Sequence, residues 1–149
     1  MSGANHFVAG ALIAIIVPQP VAAISLAVVS HFVMDMLPHY GDPNARSWLR
    51  RHFNYMLTVD AALVVLISLG IIVAHPINWL LLIICGAIAT LPDLVWLKYY
   101  LADLRMEPIE QGPFAQFSKW IQWGERPWGI YIELVWLAAT TTLLFGALS

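Results

Sequence analysis

The sequence predicts an all-α fold: an integral membrane helical bundle of four or five transmembrane helices, with one short amphipathic helix at the interface. Three observations carry that expectation. Hydrophobic residues make up 60% of the chain and charged residues only 11%, whereas a soluble domain is charged at about 25% of positions. Five apolar segments follow one another, separated by prolines or by polar connections. All seven Lys and Arg residues fall in or beside two of those connections: Arg46, Arg50, Arg51, Lys98, Arg105, Lys119 and Arg126. The length of 149 residues suits a single domain over 1–149. A net charge of −2 offers no basic surface for nucleic acid. The single cysteine, Cys85, lies in an apolar run, which excludes a disulfide framework or a thiolate zinc site within one chain. Met1 to Asn5 carry no basic side chain, so the first apolar segment is not expected to act as a cleaved signal.

The elements follow in order. The first segment runs from Asn5 to Val17 and is stopped by Pro18-Gln19-Pro20. The second runs from Val21 to Leu37 and is stopped by Pro38. A membrane span needs about 20 residues, so these two form either a tight hairpin that crosses with tilt or local thinning, or a re-entrant pair. Phe53 to Ala74 is the third segment, Ile77 to Tyr100 the fourth, and Trp128 to Leu148 the fifth. All three are long enough to span. Between the last two, Phe114, Phe117, Trp120, Ile121 and Trp123 alternate with Gln116, Lys119 and Gln122. That spacing predicts a short amphipathic helix with its tryptophans at headgroup level. Gly3, Ala9, Gly10 and Ala14 suit close helix packing. Thr140 to Thr142 suit helix hydroxyls bonded to their own backbone, and His52 and His75 suit the interface.

If every segment crosses, all the basic residues lie on one side, and the connections PQP and AHPIN opposite carry none. The positive-inside rule makes the charged side cytoplasmic, with the amino terminus inside. The same count puts His6, His31, Asp35, Asp60, Asp93 and Glu133 in one layer, about 10 Å or less beneath the cytoplasmic surface. Charged groups at such depth are costly in lipid, and carboxylates at one depth repel each other. A bound divalent metal supplies the missing positive charge. His31 and Asp35 stand at i and i+4 on one helical face, so one ion can take both. Pro38 turns the chain so that His39 can fold back over them. The expected metal ligands are therefore His6, His31, Asp35, His39 and Asp93, with Asp60 or Glu133 as general base. Imidazole and carboxylate without thiolate suit zinc, manganese or iron(II), zinc first.

The segments ANHFVAGAL, with His6, HFVMDMLPHY, with His31, Asp35 and His39, and ATLPDLVW, with Asp93, carry a resemblance. The chain resembles small bacterial inner-membrane proteins described as metal-dependent hydrolases, the LexA-regulated membrane hydrolase group and its relatives. The likeness covers the amino-terminal hairpin and the end of the fourth segment. RRHFNYMLTVD, with His52 and Asp60, is a looser counterpart of a further histidine-rich motif. The resemblance implies a metal site in the bacterial inner membrane and, beyond it, hydrolysis of an ester or phosphoester by metal-activated water. A site at headgroup depth, near arginines able to hold a phosphate, suits a lipid-like substrate. Two other functions fit the same residues: a metal or proton carrier, and a structural subunit whose polar layer locks its helices together.

Overall fold

The computed structural model describes residues 1–41 and 51–149. Arg46 and Arg50, and the side chains of Arg51 and His52, lie outside what is described. The described residues are predominantly helical, which fixes the all-α class. Among the described residues, three helical stretches are long and apolar enough to cross a membrane: Asn54–Ala74, Trp79–Ala102 and Gly129–Leu148. The first two segments form shorter apolar helices, α1 (Gly3–Ile16) and α2 (Pro20–Asp35). At 1.5 Å per residue they are about 21 and 24 Å long, less than the ~30 Å hydrocarbon thickness.

Local sequence sets the ends of these helices. Pro18 stops α1, and Gln19 caps α2 by accepting the Ala22 N–H, with Pro20 at the first helical position, where its missing N–H costs nothing. The helix α3 (Arg51–Ala74) ends at His75, which takes a left-handed conformation (φ 46°) and donates its N–H to the Ile71 carbonyl. Next, α4 (Trp79–Thr90) meets Pro92 and tightens into a 3-10 turn, Leu91–Leu94, before α5 (Val95–Leu104) resumes. A proline inside a helix removes an N–H and crowds the preceding turn, so the break falls where the sequence requires it. The short helix α6 (Pro113–Ile121) is strongly amphipathic, as expected, and exposes Phe114, Phe117 and Trp120. The last helix is α7 (Gly129–Leu148).

One feature of the chain has no counterpart in the hydropathy. β1 (His39–Tyr40) and β2 (Glu125–Arg126) form a two-residue parallel bridge, pairing His39 with Glu125 and Tyr40 with Arg126. The start of α7 lies against this bridge. A Cβ on Gly129 would stand 2.1 Å from the His39 carbonyl carbon and oxygen, so only glycine permits the approach.

Helix α1 is the centre of the bundle, packed against α2, α3, α4 and α7. Its closest approach is to α4. A Cβ on Gly10 would lie 2.3 Å from the Cys85 carbonyl oxygen, and one on Gly86 would lie 2.7 Å from the Phe7 ring. Ala4, Val8, Ala11 and Ala14 are fully buried along the same helix. Small residues at a crossing are how membrane helices gain packing where lipid offers no hydrophobic driving force. The outward faces stay apolar and exposed, as at Val29, Leu66, Val73 and Val135.

Candidate metal centre

The site begins with the free groups that helix ends leave. The first turn of α1 has N–H groups without partners inside the helix, and it is buried. Two carboxylates from distant helices satisfy them. Asp60 on α3 accepts from Gly3 N–H and Ala4 N–H, both at 2.9 Å. Glu133 on α7 accepts from Ser2 N–H at 3.1 Å through Oε2 and from Tyr40 N–H at 3.0 Å through Oε1. Asn5, also buried, donates to the Ser2 hydroxyl and to the Glu133 carbonyl. With its start held in this way, α1 presents His6 to α2 one turn later.

At the other side of the site, the Pro92 break leaves the last carbonyls of α4 without helical partners. Ala89 carbonyl oxygen takes the His31 Nδ1–H at 2.8 Å. That bond fixes the tautomer: a carbonyl only accepts, so Nδ1 carries the proton and neutral His31 presents a lone pair at Nε2.

Four side chains then meet. His6 Nε2 lies 3.1 Å from Asp35 Oδ1 and 3.9 Å from Asp93 Oδ2. His31 Nε2 lies 3.3 Å from Asp35 Oδ2 and 3.8 Å from Asp93 Oδ1. The two imidazole rings are 4.2 Å apart at their centroids. One ligand atom from each of His6, His31, Asp35 and Asp93 lies within 4.8 Å of the others, so the group could hold a metal ion. His6, His31 and Asp35 are buried, while Asp93 is 27% exposed and forms the open side.

The donor set fits a cation. His31 Nε2 is a lone pair aimed at two carboxylates, which also only accept. The His31 lone pair facing carboxylate oxygens at 3.3 and 3.8 Å is repelled unless a proton or a metal ion stands among them. His6 Nδ1 is buried with no hydrogen-bond partner among the described residues. One positive group is already near: the amino group of Met1 lies 2.7 Å from Asp35 Oδ1. It stands beside a layer that also contains Asp93, Asp60 and Glu133.

The structure thus brings together four of the five ligands expected from sequence. His39 is not in the group. Its Nδ1–H is donated to the Leu37 carbonyl at 2.8 Å, and its Nε2 faces Glu125 Oε1 at 3.9 Å. Pro38 does turn the chain, but toward the bridge with Glu125–Arg126 rather than back over Asp35. Asp60 and Glu133 lie at the start of α1, engaged with backbone N–H groups as described above. Gln122, whose Nε2 donates to Asp35 Oδ2 at 3.4 Å, had no signal in sequence beyond its place on the amphipathic segment. Burial pushes the Glu125 carboxyl above its usual range, and the neighbouring His39 opposes that rise. Of the threonines, Thr140 and Thr142 donate to the Trp136 and Ala138 carbonyls as expected, whereas the Thr141 hydroxyl has no hydrogen-bond partner among the described residues. Comparison with protein-family models, curated proteins and solved structures returns no match for the chain.

Proposed function

We propose that this chain is an integral membrane protein that holds a divalent metal, zinc first among the candidates, at His6, His31, Asp35 and Asp93, and uses it to hydrolyse an ester or phosphoester of a lipid-like substrate. The observation that carries the metal is the His31 tautomer. Its proton is committed to Ala89, and its free lone pair points into a pair of carboxylates. Two imidazoles and two carboxylates suit zinc, manganese or iron(II). The hydrogen bond from His31 to a backbone carbonyl is the usual way a metal-binding imidazole is oriented.

A bound divalent ion supplies Lewis acidity and activates water at neutral pH. Asp93, the one partly open member, sits between Leu91 and Leu94, both more than half exposed, so a substrate with apolar chains could approach from that side. Asp60 or Glu133 is the general base of this proposal. Each accepts two N–H bonds, and a carboxylate has about four lone-pair sites, so capacity to take a proton remains. The resemblance of ANHFVAGAL, HFVMDMLPHY and ATLPDLVW to the membrane hydrolase group favours the same activity. In this proposal α1 and α2 cross as a tilted hairpin, the bundle has five spans, and the basic connections face the cytoplasm of a bacterial inner membrane.

Two measurements test it. Elemental analysis of protein purified without chelator should find at least one equivalent of transition metal, lost in His31→Gln and Asp35→Ala. Release of phosphate or fatty acid from detergent-dispersed lipid should then stop with chelator and with His31→Ala. Metal-free wild type would end the metal reading. Release indifferent to chelator and substitution would end the hydrolase reading alone. A second reading, a structural lock, is favoured by the Met1 amino group on Asp35 and by the carboxylate caps on α1. Absence of stoichiometric metal from a stable wild type would favour that lock.

A further inference from the structure

The bridge between β1 and β2 repeats, in miniature, the chemistry of the four-residue group. His39 is 1% exposed, and its Nε2 has no hydrogen-bond partner among the described residues. Its Nδ1–H is donated to the Leu37 carbonyl, so when the ring is neutral the lone pair is on Nε2. The atom opposite is a carboxylate oxygen, Glu125 Oε1, at 3.9 Å. That separation is too long for a hydrogen bond. It matches the 3.8 and 3.9 Å gaps from His31 and His6 to Asp93. Metal–nitrogen and metal–oxygen bonds of zinc-like ions are about 2.0–2.2 Å and tetrahedral, which puts two ligand atoms about 3.4 Å apart; the partly exposed Glu125 side chain would have to close the gap by about half an ångström.

The local fold holds both groups in place. His39 and Glu125 are register partners in the bridge. Glu125 lies flat against Gly41, where an added Cβ would stand 2.6 to 2.7 Å from the Glu125 Cβ, Cγ and Cδ atoms. The His39 backbone is in turn pressed by Gly129. Glu125 is about one-third exposed, which leaves the remaining coordination positions of an ion to water or to oxygens of a ligand.

We propose that His39 and Glu125 form a second divalent-cation site, distinct from the four-residue group, with open positions for water or for a phosphate or carboxylate oxygen. With two protein ligands it binds more weakly than the four-ligand group and exchanges faster. One imidazole and one carboxylate suit zinc first, with Mn2+ the weaker candidate.

Metal titration of the chelator-stripped full chain in detergent, with Mn2+ and separately with Zn2+, tests this by stoichiometry and without any activity assay. Wild type should bind two classes of ion. Glu125→Gln and His39→Gln should each abolish the weaker class and change the tighter affinity less than threefold. His31→Gln should abolish the tighter class and keep the weaker. Should His39→Gln fail to fold, Glu125→Gln at a partly exposed position decides by itself. A single class in wild type, lost in His31→Gln and untouched by Glu125→Gln, overturns the second site and spares the first; a water bridging His39 and Glu125 would give that result. No bound ion at all overturns both.

Discussion

Replacing Asp60 tests how the fold and the metal group depend on each other. Its carboxylate accepts two backbone N–H bonds, from Gly3 and Ala4, each at 2.9 Å. In Asp60→Ala both donors lose their partner at a buried helix start, where Ala4 is fully buried. A donor left unsatisfied costs about 1–3 kcal/mol, so the pair costs about 2–6 kcal/mol. One term opposes this. Removing a negative charge from a layer that also holds Asp93 and Glu133 relieves repulsion, though at most partly, since the amino group of Met1 and any bound ion already offset it. Lost caps should therefore dominate. Asp60→Asn keeps one acceptor oxygen, so it should lose about half as much. His6 follows Ala4 by two residues, so a frayed first turn also misplaces a ligand. Metal affinity should fall about 10–100-fold in Asp60→Ala, as for other groups that orient ligands. The assays are reversible unfolding in mixed detergent micelles and metal titration of the same samples. If Asp60→Ala unfolds within about 1 kcal/mol of wild type and keeps its metal affinity, the carboxylate does not hold α1, and the account of the site fails at its first step.

Other expectations follow from single contacts. Gly10→Ala puts a methyl group 2.3 Å from the Cys85 carbonyl oxygen; it should cost about 1–3 kcal/mol through overpacking, read in the same unfolding assay, and weaken metal binding by separating α1 from α4 and so His6 from Asp93. Chelation of the wild type should lower its thermal midpoint and re-addition of metal should restore it, because a ligand that binds only the folded state stabilises it by mass action; His31→Gln should show neither change. Trp120 and Trp123, 72% and 67% exposed, should be quenched by brominated lipids most strongly when the bromines lie near the headgroups, which places α6 at the interface; equal quenching at all depths would remove it from there.

What could be read in the sequence was whatever depends on neighbours along the chain. Hydropathy marked the three long helices, and the i, i+4 spacing of His31 and Asp35 correctly put them on one face. Pro92 marked a break, although nothing local showed that the break would free the Ala89 carbonyl to orient His31. His39 went astray because its partner is 86 residues away: the bridge to Glu125–Arg126 leaves no periodic trace. The same holds for Gln122 on Asp35, and for Asp60 and Glu133 as caps on α1. A buried aspartate reads as a charge to be explained, and only the tertiary contact shows that it is itself the explanation for another element's start.

The two halves of the polar layer follow from one constraint. α1 is the innermost helix, and its first turn is buried among the helices packed around it. Its N–H groups must then be satisfied inside the bundle. Neutral acceptors would suffice for hydrogen bonding, yet the chain uses carboxylates, which the positive end of the helix dipole also favours. That choice places Asp60 and Glu133 in the same layer as Asp35 and Asp93, and the half-charge of a helix end cannot balance four carboxylates. The Met1 amino group compensates one of them. A divalent ion held among His6, His31, Asp35 and Asp93, as proposed, would offset most of the remainder, at a place where two imidazole nitrogens already face the carboxylates. The way the central helix begins and the cation site beside it are thus coupled, and replacing either set of carboxylates should change the other's affinity or stability.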